Sequence, residues 1–114
     1  MIDDDVELCK LLSRFLEKHG HRVYSAGDAL QAFDLLGREE IGMVITDLMM
    51  PHLDGIQFTE QLRADPRYKN LPIILITAYP DEEVIERGMR KGVAFTLPKP
   101  IDFNQLLTLV GFAQ

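Results

Sequence analysis

The chain has 114 residues, with 12 basic and 18 acidic side chains for a net charge of −6, a length that fits one compact domain. Hydrophobic residues make up 46%, enough for a core without staples, and the single Cys9 excludes a disulfide framework or a multi-cysteine metal site. The acidic excess argues against generic nucleic-acid binding, and no apolar run approaches the roughly 20 residues that span a bilayer.

The acidic opening, Met1-Ile2-Asp3-Asp4-Asp5, is unlike a signal peptide. Val6, Leu8, Leu11, Leu12, Phe15 and Leu16 recur at helical spacing and predict a helix over 5–18, closed at Gly20 by a left-handed cap. Arg22–Ser25 reads as a short strand. Asp28 caps a second helix with Ala29, Ala32, Phe33 and Leu36 on its inner face and Gly37 near its end. Met43–Thr46 is an apolar strand running into Asp47. A loop with Pro51 and Gly55 leads to a helix near 56–64. Pro72–Thr77 is continuously apolar up to its threonine, as in a strand buried on both faces. A polar helix over 81–91 is closed by Gly92. Val93–Leu97 is a weaker strand before Pro98-Lys99-Pro100, and Asp102 caps a last helix carrying Leu106, Leu107, Leu109 and Val110.

Strand–helix alternation with two-sided apolar strands defines an α/β fold around a parallel sheet, with right-handed crossovers placing helices on both faces. In such sheets the functional site lies at the carboxyl ends of the strands. The polar residues fall there: Asp3, Asp4 and Asp5 after the first strand, Asp47 after the third, Thr77 and Ala78 at the fourth, Lys99 after the fifth. Clustered carboxylates repel, and a hard divalent cation such as Mg²⁺ relieves the repulsion with oxygen ligands. An aspartate can attack phosphorus, and a hydroxyl (Thr77) and an ammonium (Lys99) can neutralise the transferring oxygens while small Ala78 leaves them room. Each residue alone has an ordinary reading. Three aspartates before a helix complement its dipole, Asp47 suits a turn, Thr77 ends a strand and Lys99 is a surface charge. Their joint placement at the correct strand ends is what those readings do not explain.

With these motifs in place, Ile2-Asp3-Asp4-Asp5, Thr46-Asp47-Leu48-Met49-Met50-Pro51 with Asp54-Gly55, Ile76-Thr77-Ala78 and Pro98-Lys99-Pro100, the sequence resembles the receiver domain of two-component response regulators over nearly its whole length. The resemblance implies a flavodoxin-like, doubly wound, five-stranded parallel sheet in the order 2-1-3-4-5. It implies a phosphorylation-dependent switch over residues 1–114 that accepts a phosphoryl group on Asp47 from a histidine kinase or histidine phosphotransfer protein. Such a domain is not an enzyme beyond assisting its own phosphorylation and dephosphorylation. By the same resemblance, Asp4, Asp47 and the backbone carbonyl of Met49 bind Mg²⁺ directly and Asp3 acts through water. Thr77 and Lys99 meet the phosphoryl group, and Pro51, Gly55, Ala78 and Pro100 are structural; the Lys99–Pro100 bond is cis in many members. The helix 81–91, strand 93–97 and helix 102–113 form the expected homodimerisation and output face. A cytoplasmic location is expected, without membrane or direct nucleic-acid contact, and no output domain is expected in this chain.

Three departures stand out. The family's switch aromatic, three positions before the lysine, is Thr96 here, with Phe95 beside it on the opposite strand face. The first strand is reduced to Met1-Ile2, as in a truncated strand. Bulky Met49 and Tyr79 flank the acceptor. Two competing classes are weaker. A haloacid-dehalogenase-type hydrolase needs a second aspartate two positions after the nucleophile, where Met49 stands, and a never-phosphorylated interaction module would not need Asp4, Asp47, Thr77 and Lys99 together. His19, His21 and His52 lack ligand spacing. Cys9 reads as a packed thiol.

Overall fold

The computed structural model describes residues 1–50 and 53–112. Five α-helices alternate with a parallel sheet: α1 (Val6–Lys18), α2 (Ala29–Arg38), β1 (Val44–Asp47), α3 (Gly55–Arg63), β2 (Ile73–Thr77), α4 (Glu82–Lys91), β3 (Phe95–Pro98) and α5 (Phe103–Phe112), with a 3₁₀ turn at Pro66–Tyr68. β2 is central, pairing with β1 through Val44↔Ile73 to Asp47↔Ile76 and with β3 through Ile74↔Phe95 to Thr77↔Pro98. Its five residues are all buried, the outcome expected of an apolar run facing two helical layers.

Alternation along β2 divides the core. Ile74 and Ile76 pack with Leu12 and Leu16 of α1 and with Leu106 and Val110 of α5. Ile73 joins Phe58 and Leu62 of α3 and Leu36 of α2, while Leu75 joins Ile56 and Val93. Helices therefore cover both faces, as the alternation predicts. Each such fully buried aliphatic side chain contributes about 1.5–3 kcal/mol. Helix starts are fixed by Asp5, Asp28, Asp54 and Asp81, whose carboxylates each accept a backbone N–H, and Asp54 with Gln57 forms a full capping box. Gly20 and Gly92 take positive φ, 87° and 109°, where the helices stop. Cys9 is buried, as a packed thiol should be.

The expected strand at Arg22–Ser25 does not form a ladder. The first strand contributes only Ile2, which bridges in parallel to Ala26 on one side and to Thr46 on the other. A strand needs a neighbour of matching length. The segment 22–25 is held on that side through the Met1 nitrogen, which donates to the Tyr24 carbonyl at 3.0 Å. The last strand is shifted by one or two residues, to Phe95–Pro98 instead of 93–97. Met89 is the outward apolar residue of α4, whereas Val84 and Ile85 are half-buried.

Candidate functional site

The carboxyl ends of the strands converge as the sequence predicts. Asp3 and Asp47 are buried there and Asp4 is exposed beside them, with carboxylate oxygens of all three within 4.8 Å of one another. Lys99 reaches in from the end of β3. Its Nζ lies 3.2 Å from Asp3 Oδ2 and 3.2 Å from Asp47 Oδ2. The Lys99–Pro100 peptide is cis, and Lys99 N–H donates to the Thr77 carbonyl at 2.8 Å. Thr77, buried at the end of β2, accepts the Tyr79 N–H at its hydroxyl, 3.1 Å away.

The electrostatics follow from this packing. Burial, and then the charge of Asp47, push the Asp3 carboxyl above its ordinary range, against the lowering effect of the Asp5 amide and Lys99. Burial pulls Lys99 down, but its hydrogen bond to Asp3 and the charges of Asp47 and Asp3 outweigh it, so its pKa is raised. Two buried carboxylates with a single ammonium between them leave negative charge in excess. A third, exposed carboxylate opens the cluster to solvent. Hard oxygen donors in that arrangement fit a divalent cation such as Mg²⁺.

Some contacts were not legible in the sequence. Gly55 sits directly under the end of β1: a Cβ there would collide with the Asp47 carbonyl oxygen and lie 2.8 Å from Leu75 Cδ1. The Gly55 N–H also donates to the Leu48 carbonyl at 2.8 Å, which fixes the loop after Asp47. Arg87 of α4 pairs with Asp54 at 3.0 Å, and Arg63 of α3 donates to the carbonyls of Tyr68 and Gly92, at 2.6 and 2.8 Å. Asp54–Gly55 on a helix start was a signal for the first of these; nothing local marks the arginines. Met49, Ala78 and Tyr79 are exposed at the rim. Thr96 is half-buried opposite Leu75, and Phe95 opposite Ile74 is partly exposed, so the two do point to different faces. Pro51 and His52 lie outside the described residues, as does Ala113 at the end of the expected dimerisation face.

What fold and site define together is a parallel α/β domain with an acidic, lysine-closed cluster at its strand ends. The family model for the response regulator receiver domain matches residues 1–111. The chain belongs to that family, and it is a signalling switch domain of the two-component type. It is 34% identical over 110 residues to Protein PilH of Pseudomonas aeruginosa, covering 96% of this chain and 91% of that protein. It is 34% identical over 111 residues to response regulator Rre1 of a Synechocystis strain, covering 96% of this chain but only 48% of Rre1. Among solved structures, the chemotaxis response regulator CheY4 of Vibrio cholerae superposes with a TM-score of 0.91 at 26% identity, covering 99% of this chain and 94% of that one. The chain thus spans most of some relatives and about half or less of others. Receiver domains work with histidine kinases or phosphotransfer partners, and they are signalling domains that typically hold Mg²⁺ in an acidic pocket. Among the described residues, no helix is long and apolar enough to cross a membrane.

Proposed function

We propose that Asp47 accepts a phosphoryl group from a phosphohistidine on a kinase or phosphotransfer protein. The observation that carries this reading is the triangle of Asp3, Asp47 and Lys99, closed by two 3.2 Å contacts at the end of the parallel sheet. An Asp47 oxygen attacks phosphorus, the P–N bond to the imidazole breaks, and the imidazole nitrogen takes a proton as it leaves. Lys99 shifts from the carboxylates to the new phosphoryl oxygens. The Thr77 hydroxyl releases the Tyr79 N–H and donates to another of these oxygens. Asp3, Asp4, Asp47 and the Met49 carbonyl would hold Mg²⁺, which supplies positive charge against the phosphoryl oxygens. Exposed Met49 and Tyr79 crowd the approach of water to phosphorus.

The remaining expectations belong to the same reading. The bridges Ala26–Ile2–Thr46 continue the sheet beyond β1, giving the order 2-1-3-4-5 if Met1–Ile2 and the segment around 22–26 are counted as reduced strands. Residues 1–114 act as one cytoplasmic receiver domain with no catalysis beyond its own phosphorylation and dephosphorylation. The output and homodimerisation face is α4, β3 and α5, where Met89, Phe95 and Phe112 are exposed. Neither membrane nor nucleic acid is contacted directly. Thr96 and Phe95, on different faces, transmit the switch differently from a single buried aromatic. Incubation with a small phosphodonor and Mg²⁺ is expected to add the mass of one phosphoryl group. No gain, or an undiminished gain in Asp47→Asn, would overturn the proposal.

A further inference from the structure

Two stretches of chain leave the acidic cluster on different elements. Asp47 leads through the loop after β1 into α3, whereas Thr77 leads through Tyr79 into α4. One side chain of α4 reaches back to the point where the first stretch enters its helix: Arg87 Nη2 donates to Asp54 Oδ2 at 3.0 Å. The two side chains are 40% and 26% exposed, and a single pair of that kind adds little to stability. Its place matters more than its strength.

Asp54 joins this pair to the sheet. Its Oδ1 accepts the Gln57 N–H at 2.7 Å and its own N–H donates to Gln57 Oε1 at 2.9 Å, which leaves Oδ2 for Arg87. That capping box makes residues 54–57 one fixed turn. The next residue, Gly55, meets the end of β1 at two atoms. Its N–H donates to the Leu48 carbonyl at 2.8 Å, and its Cα packs against the Asp47 carbonyl so closely that no Cβ would fit between them. Leu48 is itself buried and pinned to β2, its N–H donating to the Ile76 carbonyl at 2.9 Å. Arg87, Asp54, Gly55 and the Asp47–Leu48 backbone therefore touch one after another without slack. Close-packed contacts transmit a displacement instead of absorbing it. The other links between α3 and α4 do not reach this point. Lys91 meets Glu60 at 3.5 Å further along both helices, and Arg63 holds the Gly92 carbonyl at their far end.

We propose that Arg87 is a positioning residue for Asp47. Through Asp54 and Gly55 it sets the backbone of Asp47, Leu48 and the adjoining Met49, whose carbonyl is assigned to Mg²⁺ under the proposed function. For the metal this rests on that assignment; the chain of contacts does not depend on it. The direction of the effect is diagnostic. By charge alone, loss of a cation tightens the binding of Mg²⁺ to an acidic cluster. Loss of a positioning residue weakens it. The size is bounded as well. The pair cannot contribute more to metal affinity than its own strength, about fivefold for a half-exposed ion pair.

The test titrates Mg²⁺ into the unphosphorylated protein, following the Asp47 and Leu48 amide resonances, and reads hydrogen exchange of the Gly55 amide without metal. Arg87→Ala is expected to raise the Mg²⁺ dissociation constant about three- to fivefold and to speed Gly55 exchange by a similar factor. Asp54→Asn keeps a good helix cap but turns an amide nitrogen toward the guanidinium. It is expected to act in the same direction, and the double variant to add nothing. Lys91→Ala breaks the neighbouring pair between the same two helices and is expected to leave both readings at the parent values. Tighter Mg²⁺ binding in Arg87→Ala overturns the proposal in favour of a plain charge effect. Equal changes in Lys91→Ala overturn it in favour of general docking of the two helices. Unchanged Gly55 exchange in Arg87→Ala overturns it whatever the metal does. A parent that binds no Mg²⁺ sinks the metal assignment, and Gly55 exchange then decides the positioning role by itself.

Discussion

Replacing Lys99 by alanine asks what the ammonium does for the folded state. Its Nζ stands 3.2 Å from a carboxylate oxygen of Asp3 and 3.2 Å from one of Asp47, and the Asp3 side chain is fully buried. At an effective dielectric of about 20, each contact is a gross attraction of about 5 kcal/mol. Desolvation of three charged groups offsets most of it. Lys99→Ala leaves two buried carboxylates facing each other, and the expected loss is about 2–4 kcal/mol at neutral pH without divalent cations. The pH dependence has a definite sign. The Asp3 carboxyl has a raised folded-state pKa, so stability falls as pH rises from the unfolded value near 3.8 through the folded one. Removing Lys99 takes away two influences that hold that pKa down, and extends the window upward. Lys99 itself is raised, so its stabilisation is full below 10.5 and is lost as pH rises through its folded-state value. The deficit of the variant is therefore largest near neutral pH and shrinks as pH falls through the raised pKa of Asp3, where that carboxyl takes up its proton. Urea denaturation of both proteins at pH 7.5 and pH 4, with unchanged m-values, measures it. Mg²⁺ should restore the variant more than the parent at pH 7.5. A deficit equal at both pH values would refute the reasoning.

Gly55→Ala forces a methyl against the Asp47 carbonyl and Leu75, and is expected to cost about 3 kcal/mol by urea denaturation. Gly37→Ala, in α2 with open space around the new methyl, should stabilise by about 0.5–1 kcal/mol, and a loss there would contradict the packing described. Met49→Ala combined with Tyr79→Ala is expected to shorten the phosphorylated lifetime several-fold, read from the decay of the phosphoryl mass after donor removal. A half-life of only seconds in the parent would remove the basis for that effect.

The parts of the fold that were legible share one property: their signal is local. The apolar run at 73–77 can only be a two-sided strand, and Asp28, Asp81 and Gly92 mark helix ends by their own chemistry. The site was legible because the α/β alternation puts strand ends on one rim, so Asp3, Asp47, Thr77 and Lys99 could be gathered without coordinates. What failed was non-local. Arg22–Ser25 has a strand's residues, yet a ladder depends on a partner over 20 residues away, and the contact made there is the Met1 nitrogen on the Tyr24 carbonyl. The Lys99–Asp3 contact joins residues 96 apart. Arg63 reaches the Gly92 carbonyl from 29 residues away, and no spacing rule marks it. Gly55 could be flagged as a loop glycine, but its reason, contact with the strand beneath Asp47, appears only in three dimensions.

The central claim is that the phosphoryl group resides on one particular carboxylate. Treatment with a phosphodonor and Mg²⁺, borohydride reduction of the acyl phosphate and peptide mass mapping reads that carboxylate directly. The account predicts conversion of the side chain at position 47 to homoserine, with Asp3 and Asp4 untouched. Homoserine at position 3 or 4, or none at 47 under conditions that give the mass gain, would contradict it.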